Sequence, residues 1–286
     1  EVKPSKDFEW CKKNIFGYEI TDKCLIEGIK RFPAGHYAYF KHGQNEIKPV
    51  RFWNTLDHLV DIPKSYPEQV EEFRRIFIDA CRIRMRSDVP IGTALSGGLD
   101  SSATISTMAN IGKTHPENRV SGDWQHAFVA SFPGSFLDET PFAEKVVNHI
   151  GIKANYLPID PAAGIEKLFE YLYKVEELYI TSPVPMIDLY KSIKQNGVVV
   201  TIDGHGADEL FCGYGKDVYR AFMDCGVNFF QSRNILNTYK GLRSINHVQV
   251  AKESHSFNEY FRYMTSELGG WKNLFRYYAK DILGFL

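Results

Sequence analysis

The chain has 286 residues, which at about 150 per domain makes one large domain or two smaller ones, enough to bury a core without disulfide staples. Lys and Arg number 34 against 35 Asp and Glu, a net charge of −1, so bulk positive charge of the kind that drives nucleic-acid binding is excluded. No apolar run approaches the roughly 18 residues of a membrane span, and no segment has the charged start and apolar centre of a signal peptide. Cys11, Cys24, Cys81, Cys212 and Cys225 form no C-x-x-C pair and stand beside no His at zinc-finger spacing. Reduced thiols in a cytoplasm are therefore expected. Residue 1 is Glu, and the chain reads as a piece of a longer protein.

Residues 1–57 read as strands and turns. Phe32 to Phe40 is a turn followed by an aromatic-rich strand, His42 to Asn45 is a hairpin-like turn, and Val50 to Trp53 is a second short strand. Ser65 with Glu68 three residues on has capping-box spacing. Val70, Phe73, Phe77, Ala80 and Cys81 then recur at helical steps and predict one apolar face. Arg82, Arg84 and Arg86 crowd the end of this helix, either as solvated charge favoured at a helix C-terminus or facing a phosphate.

From there strands and helices alternate. Strands are predicted near 90–95, 127–132, 154–159 and 198–202. Helices are predicted from Ser102 to Ile111, from Thr140 (as cap) to Gly151, from Ile165 to Leu178, and from Met186 to Gln195 with Gly197 closing it. Such alternation means an α/β fold, a doubly wound parallel sheet covered on both faces, with expected strand order 3-2-1-4. Residues 217–286 are aromatic and helical in tone. His115, His126 and His149 are scattered and read as structural or exposed.

Two loops carry chemistry. Ser96-Gly97-Gly98-Leu99-Asp100-Ser101-Ser102 ends a buried strand and opens a helix. Its glycines let backbone approach an anion, the helix start favours negative charge, and the serines add hydroxyl donors. Asp100 beside phosphates makes sense with a cation between them. The Gly-Lys-Ser/Thr ending of a Walker A loop and the G-x-G-x-x-G spacing of a dinucleotide fingerprint are both missing. The second loop, Asp203-Gly204-His205-Gly206-Ala207-Asp208-Glu209, follows the last strand. If the strands before Ser96 and Asp203 are neighbours where the strand order reverses, Asp100 and Asp208 could face one magnesium-bound polyphosphate.

With Leu210-Phe211-Cys212-Gly213-Tyr214 following, these loops make the chain resemble the asparagine synthetase B family, in the synthetase domain of the N-type ATP pyrophosphatases. Pro33-Ala34-Gly35-His36 and Arg51-Phe52-Trp53 resemble the close of that family's glutaminase domain. The resemblance implies residues 1–57 as a β-rich glutaminase remnant and 58–286 as the synthetase domain, α/β to about 216 and helical after it. It implies ATP and Mg2+: Ser96, Gly97, Gly98, Asp100 and Ser101 on the pyrophosphate, with Ser102 beside them. Asp100 and Asp208 would be metal ligands, and the backbone at Ala94, Ala130, Asp203 and Gly204 would contact the adenosine part. A carboxylate, aspartate in the leading case, would be adenylated and amidated by ammonia from a glutaminase domain. No nucleic-acid or membrane partner is implied, and a homodimer stays open.

Three departures stand beside the resemblance. The N-terminal Cys nucleophile of the glutaminase is not present here. The family's later Arg-Pro-Phe-Leu-Asp stretch does not occur before Leu286. His205 replaces the usual Glu, and it reads as a base that frees the amine, as a substrate contact, or as a tolerated substitution. Relatives making other amides vary this position, so a sugar acid, a peptide or a β-lactam precursor is the alternative substrate. A tRNA-modifying ATP pyrophosphatase would need reactive cysteines and a basic face, and neither is clear. A non-catalytic nucleotide-binding module is opposed by the presence of both Asp100 and Asp208.

Overall fold

The computed structural model describes residues 3–237, except 16, 45, 115–125, 178–181, 215–216, 218–220, 222–223, 226–230, 232 and 236. His115 and the expected helical tail beyond 237 lie outside the described residues. The chain divides into two compact units, Glu1–Asp203 and Gly204–Leu286.

The first residues carry less strand than their composition suggests. They form a short helix α1 (Phe8–Lys13), a 3-10 turn at Tyr18–Ile20, and an antiparallel pair of two-residue strands, β1 (His36–Tyr37) and β2 (Val50–Arg51). Cys11, Tyr18 and Leu25 make a small core of their own with Phe8 and Ile26. A helix of six residues shows too little periodicity to be read from sequence, and burial of Cys11 holds it in place.

Helix α2 (Tyr66–Arg84) starts with the expected capping box: the Ser65 hydroxyl accepts from Glu68 N–H, and the Glu68 carboxylate accepts from Ser65 N–H. The expected apolar face is only half used. Phe77, Ile78, Cys81 and Met85 pack into the core, while Val70 and Phe73 in the first half remain largely exposed. Arg82 pairs with Asp79, and Arg84 donates to the Ala80 carbonyl, so these cations serve the helix end as solvated charge would.

The sheet consists of β3 (Ile91–Ala94), β4 (His126–Ser131), β5 (Lys153–Pro158) and β6 (Val200–Thr201). Its order is β5-β4-β3-β6, all parallel, as expected. Helices α3 (Leu99–Thr114), α4 (Thr140–Ile150), α5 (Pro161–Val175) and α6 (Val184–Gln195) connect the strands. Alternate residues of β4 show the layers. Ala127 and Val129 pack with Leu95, Ile105, Ala143 and Val147 beneath α3 and α4, while Phe128 packs with Ile193 and Val198 beneath α6. The α5 helix lies against α6.

Several boundaries differ from expectation, among them three helix starts. Thr140 is not the cap of α4: Glu139 holds that position without a side-chain bond, and Asp138 accepts from Thr140 N–H and hydroxyl. Helix α5 begins four residues early because Asp160 caps it and Pro161 fits its first turn. Helix α3 begins at Leu99 inside the serine-glycine loop. Among the described residues no helix is long and apolar enough to cross a membrane, and all five cysteines are free thiols.

The hydroxyl of Ser65 holds the Glu68 carboxyl below the ordinary carboxylate range, with the Ser65 N–H adding to it. A carboxyl lowered on folding contributes stability above its unfolded pKa and loses it as pH falls through the folded value. Ser65→Ala is expected to cost about 1 kcal/mol near neutral pH. Chemical denaturation should show that difference narrowing below about pH 4.

Candidate functional site

Strand β3 runs through the middle of the sheet, with Ile91, Gly92 and Thr93 buried and Ala94 partly accessible. Strand β4 is buried from Ala127 to Val129 and becomes accessible at Ala130. The chain passes from β3 to β4 and β5 on one side, then returns to place β6 on the other side of β3. The carboxyl ends of β3 and β6 therefore flank the point where the strand order reverses, where open α/β sheets bind ligands.

The Leu95 N–H makes the last ladder bond, to Phe128 O at 2.8 Å, and the chain then turns into the serine-glycine loop. Two serines tie that loop together. Ser101 Oγ accepts from Ser96 N–H at 3.3 Å and lies 3.1 Å from Ser96 Oγ, which in turn accepts from Gly98 N–H at 3.1 Å. Ser101 is buried, whereas Ser96 and Gly98 are exposed, and the Ser96 and Gly98 N–H groups are both taken by these two hydroxyls. Asp100 stands partly buried in the first turn of α3.

Gly97 has φ +85°, and a Cβ there would lie 2.4 Å from the Ala143 nitrogen and 2.7 Å from the Phe142 carbonyl carbon. The start of α4 thus rests directly against the loop backbone. That start is itself anchored by Asp138, which accepts from Phe132 N–H at 3.1 Å and from the Thr140 hydroxyl at 2.6 Å. The Thr140 hydroxyl, followed by Phe132 N–H, holds the Asp138 carboxyl below its ordinary value.

Asp203 was expected to contribute backbone. Its side chain is engaged as well: Oδ1 accepts from Ala94 N–H at 2.7 Å, and Oδ2 accepts from the Thr201 hydroxyl at 2.8 Å and the Tyr190 hydroxyl at 2.6 Å. The Ala94 amide is therefore occupied by protein. Nothing in the sequence marks Tyr190 or Thr201 as a partner of Asp203: one is a Tyr in the middle of an amphipathic helix, the other a Thr in an apolar strand.

Gly204, His205 and Asp208 belong to the second unit. His205 is exposed in the turn before α7 (Ala207–Phe211), whose first turn carries Asp208 and Glu209. Gly213 N–H donates to the Asp208 carbonyl at 3.2 Å, and a Cβ at Gly213 would lie 1.5 Å from Asp208 Oδ1. The Asp208 side chain is thus folded over a residue with no room for one. The Tyr214 hydroxyl donates to Glu209 at 2.7 Å, and that bond above all pushes the Tyr214 pKa up to about 12.

The donor set suits a magnesium polyphosphate. The Ser102 hydroxyl is buried without a hydrogen-bond partner among the described residues, an unspent donor in the first turn of α3. Magnesium on phosphates takes one or two carboxylates rather than a protein cage. Asp100, in the same first turn, supplies a hard oxygen of that kind.

The family model for asparagine synthase matches residues 72–274. Asparagine synthetase B (glutamine-hydrolysing) of Escherichia coli strain K12 is 30% identical over 193 residues, 65% of this chain and 34% of that protein. The glutamine-hydrolysing asparagine synthetase of Sandersonia aurantiaca is 30% identical over 208 residues, covering 72% and 38%. Amidase chyE of Penicillium rubens is 27% identical over 222 residues, covering 74% and 33%. The chain thus spans about a third of the length of these relatives. An NH3-dependent NAD synthetase from Campylobacter jejuni overlaps 51% of this chain and 60% of its own at TM-score 0.34 and 15% identity, which adds nothing to the topology above.

The Gly97 contact yields a paired test. Gly43 has nearly the same dihedral, φ +84°, but among the described residues nothing lies within 4 Å of a Cβ there. Gly43→Ala is expected to cost only the left-handed strain, roughly 1–2 kcal/mol. Gly97→Ala should cost at least about 1 kcal/mol more from the backbone collision. Equal losses in urea unfolding would show that α4 does not press on the loop.

Proposed function

The chain belongs to the asparagine synthase family, and we propose that it carries the synthetase reaction: adenylation of a substrate carboxylate by ATP, then transfer of ammonia to it. A carboxylate oxygen attacks the α-phosphorus, the bond to the bridging oxygen breaks, and pyrophosphate leaves. Ammonia then attacks the acyl carbon, the bond to the AMP oxygen breaks, and the amine gives up a proton. The observation that carries this reading is the serine-glycine loop at the reversal point of the parallel sheet, opening onto the start of α3.

In this reading Ser96, Gly97, Gly98, Asp100 and Ser101 hold the pyrophosphate, and the unspent Ser102 hydroxyl adds a donor. The internal pairing of Ser96 with Ser101 sets the loop before any ligand arrives. Backbone at Ala94, Ala130, Asp203 and Gly204 contacts the adenosine part. At Ala94 the carbonyl is the group on offer, because the amide is given to Asp203. Bound Mg2+ would be held by Asp100 and Asp208 and would neutralise polyphosphate charge. Gly213 keeps space for the Asp208 side chain, and Tyr214 holds Glu209 beside it.

Aspartate is the leading substrate, with ammonia released from glutamine by a glutaminase-type domain whose closing part is residues 1–57. Residues 58–286 form the synthetase part in this reading, in a cytoplasmic enzyme. His205, where the family the sequence resembles usually has Glu, favours a second reading in which another carboxylate is amidated. An imidazole is bulkier than a carboxylate and carries no negative charge when neutral, so it changes both the proton-accepting step and the field around the incoming amine.

Asp100→Ala and Asp208→Ala should each lower ATP–pyrophosphate exchange at least about a hundred-fold in the full-length protein, while folding by circular dichroism is kept. Undiminished exchange in either variant removes that residue from the metal site. His205→Ala should lower amide formation at least about ten-fold more than exchange, because phosphate contacts come from other residues. Equal losses in the two assays, or no loss in either, would take His205 out of the second step.

A further inference from the structure

Backbone pairing between β3 and β6 is short. Ile202 N–H donates to Gly92 O at 3.0 Å. Two residues further along the same edge, the Ala94 amide is met by a side chain, Asp203 Oδ1 at 2.7 Å. A carboxylate stands where a parallel strand would offer a carbonyl. Its second oxygen is held from two directions, by the Thr201 hydroxyl within β6 and by the Tyr190 hydroxyl from α6. The α6 helix packs on the Phe128 face of the sheet, so Tyr190 reaches the strand ends from the layer beside them. Asp203 and Ala94 lie 109 positions apart in sequence.

Stability alone does not explain this choice. Another backbone pair would satisfy the Ala94 amide with no charge to desolvate, and a partly buried carboxylate is retained at a cost unless it fixes something. Three donors on one carboxylate restrict its orientation far more than one ladder bond would. What they fix is the separation of the carboxyl ends of β3 and β6.

We infer that Tyr190 is a positioning residue of the nucleotide site: acting through Asp203, it holds the carboxyl end of β3 at Ala94 against the carboxyl end of β6. The strand-end backbone is thereby preset for the adenosine part of ATP. The ligand's identity rests on the function proposed above, whereas the clasp itself does not.

The test compares the full-length protein with Tyr190→Phe, Asp203→Asn and the double variant. Hydrogen exchange at the Ala94 amide is measured without nucleotide, ATP affinity by calorimetry, and KM for ATP and kcat by pyrophosphate exchange. Tyr190→Phe should speed Ala94 exchange while Ile91 and Phe128 amides keep their protection. It should raise the Kd and KM for ATP roughly ten-fold with kcat changed less than about two-fold. The double variant should bind ATP no more weakly than Asp203→Asn alone, since both remove one interaction. Unchanged Ala94 exchange in Tyr190→Phe would overturn the clasp. Faster exchange with unchanged ATP affinity, or losses that multiply in the double variant, would overturn the positioning role. Failure of the unmodified protein to bind ATP would overturn the functional reading instead, with Ala94 exchange still deciding the clasp.

Discussion

The main chain of α4 approaches the serine-glycine loop so closely that a single methyl on Gly97 would lie 2.4 Å from the Ala143 nitrogen. Much of the site's shape follows from that approach. The loop must take a left-handed step at Gly97, and Ser101 then falls inside, where its hydroxyl meets Ser96. Leu95 before the loop and Ala143 in α4 belong to the same buried cluster, with Ile105, Ala127, Val129 and Val147. Apolar burial therefore presses the two backbones together just below the loop, and each fully buried aliphatic side chain contributes roughly 1.5–3 kcal/mol to holding them there. Asp138 completes the arrangement from the other side by setting where α4 begins. Hydrophobic packing and a backbone contact thus act on the loop together.

The two edges of β3 end differently. On the β4 side the ladder continues to Leu95, which donates to Phe128 O. On the β6 side it reaches Ile202 and is then taken over by a carboxylate. The sheet is therefore zipped further on one side of its central strand than on the other. The carboxyl ends of β3 and β6 stand where the strand order reverses. Of the residues from the first unit expected at the site, Ala94 and Asp203 are joined to each other at these strand ends, and Ser96 to Ser101 follow within a few residues.

How much of this was legible depended on how local each signal was. The capping box at Ser65 and Glu68, the α4 stop at Gly151 and the alternation that set the strand order are patterns within a few residues or repeated along the chain. Both loops were legible because their glycines and acids are consecutive. The misread features depend on partners outside the window. Thr140 has the sequence of a cap, and nothing local shows that Asp138 accepts from both Thr140 and Phe132 N–H. Val70 and Phe73 have the right spacing for a buried face, but periodicity does not state how far along α2 the neighbouring layer extends. The Asp203 carboxylate was legible as a charge in a loop; its binding to Ala94 spans 109 positions and had no local mark.

Asp203 also shows why a backbone contact inferred from resemblance leaves the side chain unexplained. If only its main chain meets the nucleotide, the side chain is free to vary as far as the ligand is concerned, yet here it carries the bond that closes β3 against β6. The residue would then serve the ligand with one group and the sheet with another. A substitution at Asp203 changes both at once, so a loss of activity there does not separate contact from alignment. Tyr190 separates them. Its hydroxyl reaches the carboxylate from α6, and the remainder of its side chain lies with the helix layer that packs on Phe128. Alignment at these strand ends is therefore shared with a residue outside both recognisable loops, and a helix that packs on the sheet can still carry a hydroxyl that helps set where two strand ends stand.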